Sequence, residues 1–201
     1  MGWLLNFDYT VFTWINGLAG RNGLLDSIMQ ALCNDHLVPF TLGFMLVIMA
    51  MHGRNRSQDR DNLAAVVRLF IAVAVSSAIL QLAVTLVHRP RPFMDHEVNL
   101  LFYRPTDWSF PSNPATATFT FFFSAWFSDR HFGWWFLPPA LLMSFARVYC
   151  GVHYPGDVLA GIVIAAASAY LVHRVDFLSR PLVAIVNSLE SRIRSSLSVR
   201  E

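Results

Sequence analysis

Leu63–Val87 is a 25-residue apolar run broken only by Arg68 and a few uncharged polar residues, and a water-soluble core has no place for a segment of that length. It exceeds the roughly 20 residues needed to cross a bilayer as a helix. Four more apolar runs share the chain: Leu37–Met51, Ala115–Phe127, Trp134–Val148 and Val158–Val172. Strictly counted these are shorter, but several extend into aromatic or small polar neighbours, as in Pro114–Ser128 and Phe132–Tyr149. Charged residues make up 14% of the chain and hydrophobic ones 55%. Soluble domains carry about 25% charged residues. An unpaired backbone is costly in lipid and the alternation of a barrel is absent, so helix is the state these runs require.

The expectation is an all-α, polytopic transmembrane helix bundle of five spans. Residues 1–36 are less regular, because Asp8, Asn16, Asp26 and Asn34 interrupt the apolar stretches Phe7–Leu18 and Leu24–Cys33. They are expected to form interfacial helices or one imperfect sixth span, ahead of a bundle over 37–173. The start of the chain lacks the positive segment and cleavage site of a signal peptide, so the first span is expected to direct insertion. Residues 174–201 place Leu182, Val186, Leu189, Ile193 and Leu197 on one helical face with arginines between them. That pattern predicts an amphipathic tail on the inner leaflet, with subunit contact in a homo-oligomer as the alternative.

All fifteen cationic residues are arginine. Arg54, Arg56 and Arg60, Arg130, and the tail arginines Arg174, Arg180, Arg192, Arg194 and Arg200 fall on one side of a five-span topology, which is then cytoplasmic. The Asn55-Arg56-Ser57 sequon lies on that side and carries no weight. A net charge of +2 without a basic, aromatic-interleaved patch excludes a nucleic-acid partner. Cys33 and Cys150 match no metal or redox spacing and read as packing residues, with a disulfide between them left open.

The opposite, outer side receives three polar segments: His88–Phe93 (HRPRPF), Ser109–Ala115 (SFPSNPA) and Ala146–Gly161 (ARVYCGVHYPGDVLAG). Arg91, Arg147 and Arg89 offer planar cationic forks suited to phosphate oxygens. Ser112 and Asn113 open a helix whose N-terminus favours an anion. His153 and Asp157 are four apart, with Pro155 turning the chain between them. A carboxylate there can fix the imidazole tautomer and leave the other nitrogen free to attack phosphorus. Only one histidine and one carboxylate are well placed, and the surrounding arginines would repel a divalent cation, so no metal is expected, nor any other cofactor. Singly, these residues read as lipid-headgroup contacts or helix caps; together they read as a site.

On these motifs the chain resembles the type 2 phosphatidic acid phosphatase superfamily over roughly residues 65–172. Arg147, His153 and Asp157 reproduce the third motif, Phe110-Pro111-Ser112 the second, and Arg91-Pro92 ends the first. The segment VFTWIN is similar to the bacterial undecaprenyl-diphosphate phosphatase branch. The resemblance implies that His153 forms a phosphohistidine, that Asp157 orients it, and that Arg91, Arg147 and Ser112 hold the phosphoryl group. It implies a lipid substrate dephosphorylated at the periplasmic face of a bacterial inner membrane. Undecaprenyl diphosphate leads the candidates, ahead of phosphatidylglycerophosphate and phosphatidic acid.

Two positions depart from the family pattern. Val84 stands where the first motif carries lysine, and Pro114 where the second carries the histidine that protonates the leaving group. General acid catalysis contributes about 10²–10⁴-fold. A phosphate monoester leaves more readily than a lipid alkoxide, so a diphosphate substrate suffers least from the loss. His88, His96, Asp95 and Asp107 are the loop groups weighed as substitute acids, and each reads more simply as solvated. The competing class is a degenerate member that binds or transports a lipid phosphate without hydrolysis.

Overall fold

The structure, a computed structural model, describes residues 2–51, 56–175, 181–186 and 188. Asn55 of the sequon, Arg54, and most of the tail's expected apolar face (Leu189, Ile193 and Leu197) lie outside the described residues. Among the described residues the chain is helical throughout: α1 (Gly2–Asn16), α2 (Gly23–Cys33), α3 (Leu37–Met51), α4 (Arg56–Leu86), α5 (Pro92–Asp95), α6 (Asn113–Ser128), α7 (Arg130–Tyr149) and α8 (Pro155–Arg174). A short helical stretch, 181–186, follows.

Each of the five apolar runs is helical, in α3, α4, α6, α7 and α8. Within the described residues two helical segments are long and apolar enough to span by themselves, Asp61–Leu86 and Pro155–Arg174. A third candidate is the pair α2 and α3, bent by 59° at their junction. The 16 residues of α6 reach only roughly 24 Å. Prolines 138 and 139 lie inside α7, and each removes an amide donor from the helix ladder.

The core is layered around α6, which packs on α7, α8 and α4, while α3 closes the side against α4 and α7. Leu42, Met49, Leu69, Phe119, Phe136 and Met143 interlock there, drawn from four helices. The outward faces stay apolar: Phe40, Phe44, Phe70, Leu159 and Val163 are all exposed. The interior instead buries Thr116, Thr118, Thr120 and Ser124 on α6. An apolar exterior around a partly polar interior is the arrangement expected of a lipid-facing bundle. Three of these threonines donate to the carbonyl four residues back, Thr116 at 2.9 Å, Thr118 at 2.8 Å and Thr120 at 2.7 Å. These three buried hydroxyls thus keep partners in the low dielectric, whereas Ser124 Oγ has none among the described residues.

Caps fix where the helices begin, and therefore where the motif residues sit. Ser112 precedes α6 in extended conformation, with Pro114 in the first turn, where a missing amide costs little. Asp129 caps α7 by accepting from His131 N at 2.8 Å. Tyr154 and Pro155 open α8. Gly151, at φ +80°, ends α7 in the left-handed region that glycine tolerates, and so turns the chain toward His153. Gly161 lets α8 approach the start of α6: a Cβ there would lie 2.9 Å from the Ser112 carbonyl and from Thr116 Oγ1.

The polar residues that interrupt the N-terminal stretch are tethers. Asn16 donates to Tyr149 O at 2.8 Å and to Asn99 O at 2.9 Å, and accepts from Asn99 N at 2.9 Å. Asp26 accepts from Tyr149 Oη at 2.7 Å. Asp8 accepts from Gly156 N at 2.7 Å. α1 and α2 are thereby bound to the end of the bundle where α4 ends, α6 begins, α7 ends and α8 begins. Cys33 and Cys150 are buried in one apolar cluster and are free thiols.

Candidate active site

His153 sits in the turn between α7 and α8 and is 1% exposed. Its Nδ1 lies 2.9 Å from the carbonyl oxygen of Ser109. A carbonyl can only accept, so Nδ1 carries the proton and Nε2 keeps a lone pair. Arg91 Nη1 lies 3.3 Å from that Nε2 and donates to Val152 O at 2.9 Å. The sequence expectation gave Asp157 the orienting contact, but its nearer oxygen is 3.8 Å from Nδ1, beyond hydrogen-bond reach. Because Pro155 starts the helix, Asp157 is turned back to accept from Tyr154 N at 2.8 Å. Its carboxylate also accepts from Ser109 Oγ and, at 2.8 Å, from Arg89 Nη1. Asp157 therefore acts on His153 through Ser109, whose hydroxyl it holds and whose carbonyl holds the imidazole.

Arg89 has carboxylate partners in this structure. Expected to bind phosphate, it is spread between Asp157 and Asp8, 2.6 Å from the latter, with its guanidinium 3.9 Å over the Tyr154 ring. It supports the loop from behind. Of the residues expected to bind phosphate, Arg91, Arg147 and Asn113 line one cleft, with Ser112 next to Asn113 in sequence, and Arg89 does not line it.

Arg91, Asn113, Arg147 and His153 line a single cleft of about 370 Å³, together with Pro114, Asp35 and Asp107. Arg91 is anchored by its Nε to Asp107 O at 2.9 Å and by Nη2 to the Asp107 carboxylate at 2.9 Å. Arg147 is almost fully buried and ion-pairs with Asp35, which also accepts from Tyr103 Oη at 2.7 Å. Ser112 Oγ and Arg147 Nε are buried without hydrogen-bond partners among the described residues. Orphaned donors beside two guanidiniums suit an incoming anion with several oxygens. Of the loop groups weighed as substitute acids, Asp107 alone lines this cleft. His96 lines a larger depression of about 720 Å³ beside α1, which holds none of the motif residues. Among the described residues no group of three or more His, Cys, Asp or Glu could hold a metal ion.

Sequence reasoning missed Asp8, Asp35, Tyr103 and Ser109. Ser109 lies inside the second polar segment, three residues before the serine that drew attention. The others had no local signal, since their partners are distant in sequence.

Burial pushes the His153 imidazole below its ordinary value of 6.5; the nearby Asp157 works against this, and the cations Arg91 and Arg147 add to it. The base is neutral, with its lone pair available, at pH 7. In a pH profile of kcat/KM the acid limb is therefore expected to fall below 6.5, because protonation of Nε2 removes the lone pair only there. An acid limb at or above 6.5 would contradict a buried, neutral His153.

The PAP2 superfamily model matches residues 65–181. The chain is 31% identical over 192 residues to the undecaprenyl-diphosphatase BcrC of Bacillus subtilis (strain 168), covering 95% of each protein. It is 27% identical to the bacitracin transport permease protein BcrC of Bacillus licheniformis, over 93% of this chain and 86% of that one. Among solved structures, Aquifex aeolicus LpxE superposes with a TM-score of 0.66 at 26% identity, covering 83% of this chain and 94% of its own. A PAP2-type phosphatidylglycerolphosphate phosphatase from Bacillus subtilis shares the fold, with a TM-score of 0.61 at 22% identity over 88% of this chain and 87% of that one.

Proposed function

The chain belongs to the PAP2 superfamily and is a membrane lipid phosphatase, and on that footing we propose that it hydrolyses undecaprenyl diphosphate to undecaprenyl phosphate. His153 Nε2 attacks the terminal phosphorus, Arg91 and Arg147 hold its oxygens, and water then releases phosphate from the phosphohistidine. The reaction runs at the periplasmic face of a bacterial inner membrane, where the outward ends of α4, α6, α7 and α8 meet.

The observation that carries the substrate is the 31% identity, over 95% of each chain, to an undecaprenyl-diphosphatase. Pro114 lines the cleft where the family motif places a histidine, and a phosphate monoester is the leaving group that depends least on that one donor. Purified protein is expected to release phosphate faster from undecaprenyl diphosphate than from phosphatidic acid or phosphatidylglycerophosphate. A preference for either monophosphate lipid would defeat this reading.

A second reading has specific support: Pro114, Val84 and the transport name of one relative favour binding or movement of a lipid phosphate without hydrolysis. Absence of phosphate release from all three lipids, with retained binding, would be its signature.

A further inference from the structure

The cleft that lacks the motif histidine contains a different proton carrier. Asp35 lies in the turn between α2 and α3, in the same cleft as Pro114, His153 and both guanidiniums. Its carboxylate takes bonds from Arg147, 112 residues away, and from Tyr103. We propose that Asp35 is the general acid of this site, protonating the bridging oxygen as it leaves and recovering that proton from the attacking water. This rests on the diphosphatase reading above.

Substrate binding itself arms the acid. At rest, two donors, one of them a cation, stabilise the ionised carboxylate of Asp35. A terminal phosphate entering the cleft competes for Arg147. Asp35 then loses its counter-ion and faces an anion, and both changes raise its affinity for a proton. The groups around it are Arg147 from α7, Tyr103 from the segment before α6, His36 on its own turn, and Arg91 and Asp107 across the cleft.

Asp107 is the rival, and its position argues against it. One guanidinium, Arg91, contacts both Asp107 and His153 Nε2, so Asp107 is tied to the arginine beside the nucleophile. In-line displacement sends the leaving oxygen to the side opposite the nucleophile. Asp35 is held by Arg147, which has no hydrogen bond to His153 among the described residues. Its side chain is also less exposed, 42% against 66% for Asp107.

The steps balance. Asp35 takes up a proton from solvent as the substrate displaces Arg147, and returns it when phosphate leaves and the Asp35–Arg147 pair re-forms. Between these, the lone pair of His153 Nε2 forms the N–P bond, the P–O bond to the bridging oxygen breaks, and the Asp35 proton passes to that oxygen. Undecaprenyl phosphate departs and Asp35 is left ionised. Water then attacks the phosphohistidine, gives a proton to Asp35, and the P–N bond breaks to release phosphate and restore the lone pair.

The test compares Asp35→Asn, alone and with Pro114→His, on undecaprenyl diphosphate and on p-nitrophenyl phosphate, whose leaving group needs no proton. Asp35→Asn is expected to lower kcat on the diphosphate by about 10²-fold, toward the low end for a lost general acid. KM should not rise, because the competitor for Arg147 is gone, and the alkaline limb of the profile should disappear. Pro114→His should restore most of kcat to Asp35→Asn. Turnover of p-nitrophenyl phosphate should fall much less than turnover of the diphosphate, because its leaving group needs no proton. The proposal is overturned if Asp35→Asn keeps the wild-type kcat and alkaline limb, or gains activity. It is equally overturned if p-nitrophenyl phosphate turnover falls in parallel and Pro114→His restores nothing. The substrate reading fails elsewhere, in a wild-type chain that releases no phosphate from undecaprenyl diphosphate.

Discussion

His153→Ala is expected to stop phosphate release from undecaprenyl diphosphate, with kcat falling by more than about 10⁴-fold, as when other enzymes lose a covalent nucleophile. The size of the effect follows from the geometry. The Nδ1 proton is committed to the Ser109 carbonyl, and Nε2 is the nitrogen beside Arg91. Alanine removes the attacking atom and leaves the Ser109 carbonyl without its partner, a cost of about 1–3 kcal/mol for a buried acceptor. Thermal unfolding in detergent should thus shift modestly while turnover collapses. A fall in activity explained by the unfolded fraction alone would remove His153 from the chemistry.

Arg91→Lys is expected to be nearly as damaging, lowering kcat/KM by about 10³-fold, the upper end for loss of one preorganised donor. Lysine keeps the charge but not the fork. In this site one guanidinium contacts the Val152 carbonyl, the His153 nitrogen and both the backbone and carboxylate of Asp107. An ammonium cannot span those directions, so both the phosphate grip and the placement of His153 suffer. The corresponding change at Arg89, which lies behind the cleft, should mainly weaken the loop. Steady-state assays of Arg91→Lys beside Arg91→Ala check this. A lysine variant close to wild type would mean that only the charge matters.

The helices and the third motif were legible in the sequence because both depend on near neighbours. Apolar runs such as Leu63–Val87 and Val158–Val172 declare helices through their own composition. The Arg147, His153 and Asp157 spacing declares a loop between two helices. The roles within that loop were less legible. Four-residue spacing suggested a direct His153–Asp157 contact, whereas Pro155 starts α8 so that Asp157 caps it and reaches the imidazole only through Ser109. Arg89 looked like a phosphate ligand because it shares a short segment with Arg91. Its carboxylate partner Asp8 lies 81 residues away, inside a stretch that read as a broken span. The same distance hid Asp35 and Asn16. A polar residue in an apolar stretch marks either a flaw in a span or a tether to another element, and only the packing of α1 and α2 on the end of the bundle that holds His153 decides which.

The count of spans was obscured for a related reason. Helices such as α6 carry hydroxyls that satisfy themselves on the preceding turn, so their burial in the bundle does not depend on an apolar composition. Sequence hydropathy registers the lipid-facing side of a bundle more strongly than its polar interior.

The central claim is that phosphoryl transfer passes through His153. Undecaprenyl diphosphate radiolabelled in its terminal phosphate, mixed with excess protein for a single turnover and quenched in alkali, tests this most directly, because phosphohistidine survives alkali. Label is expected on the protein, mapped by peptide analysis to His153 and absent from His153→Ala. Release of labelled phosphate with no label ever on the protein, or label on another residue, would contradict it.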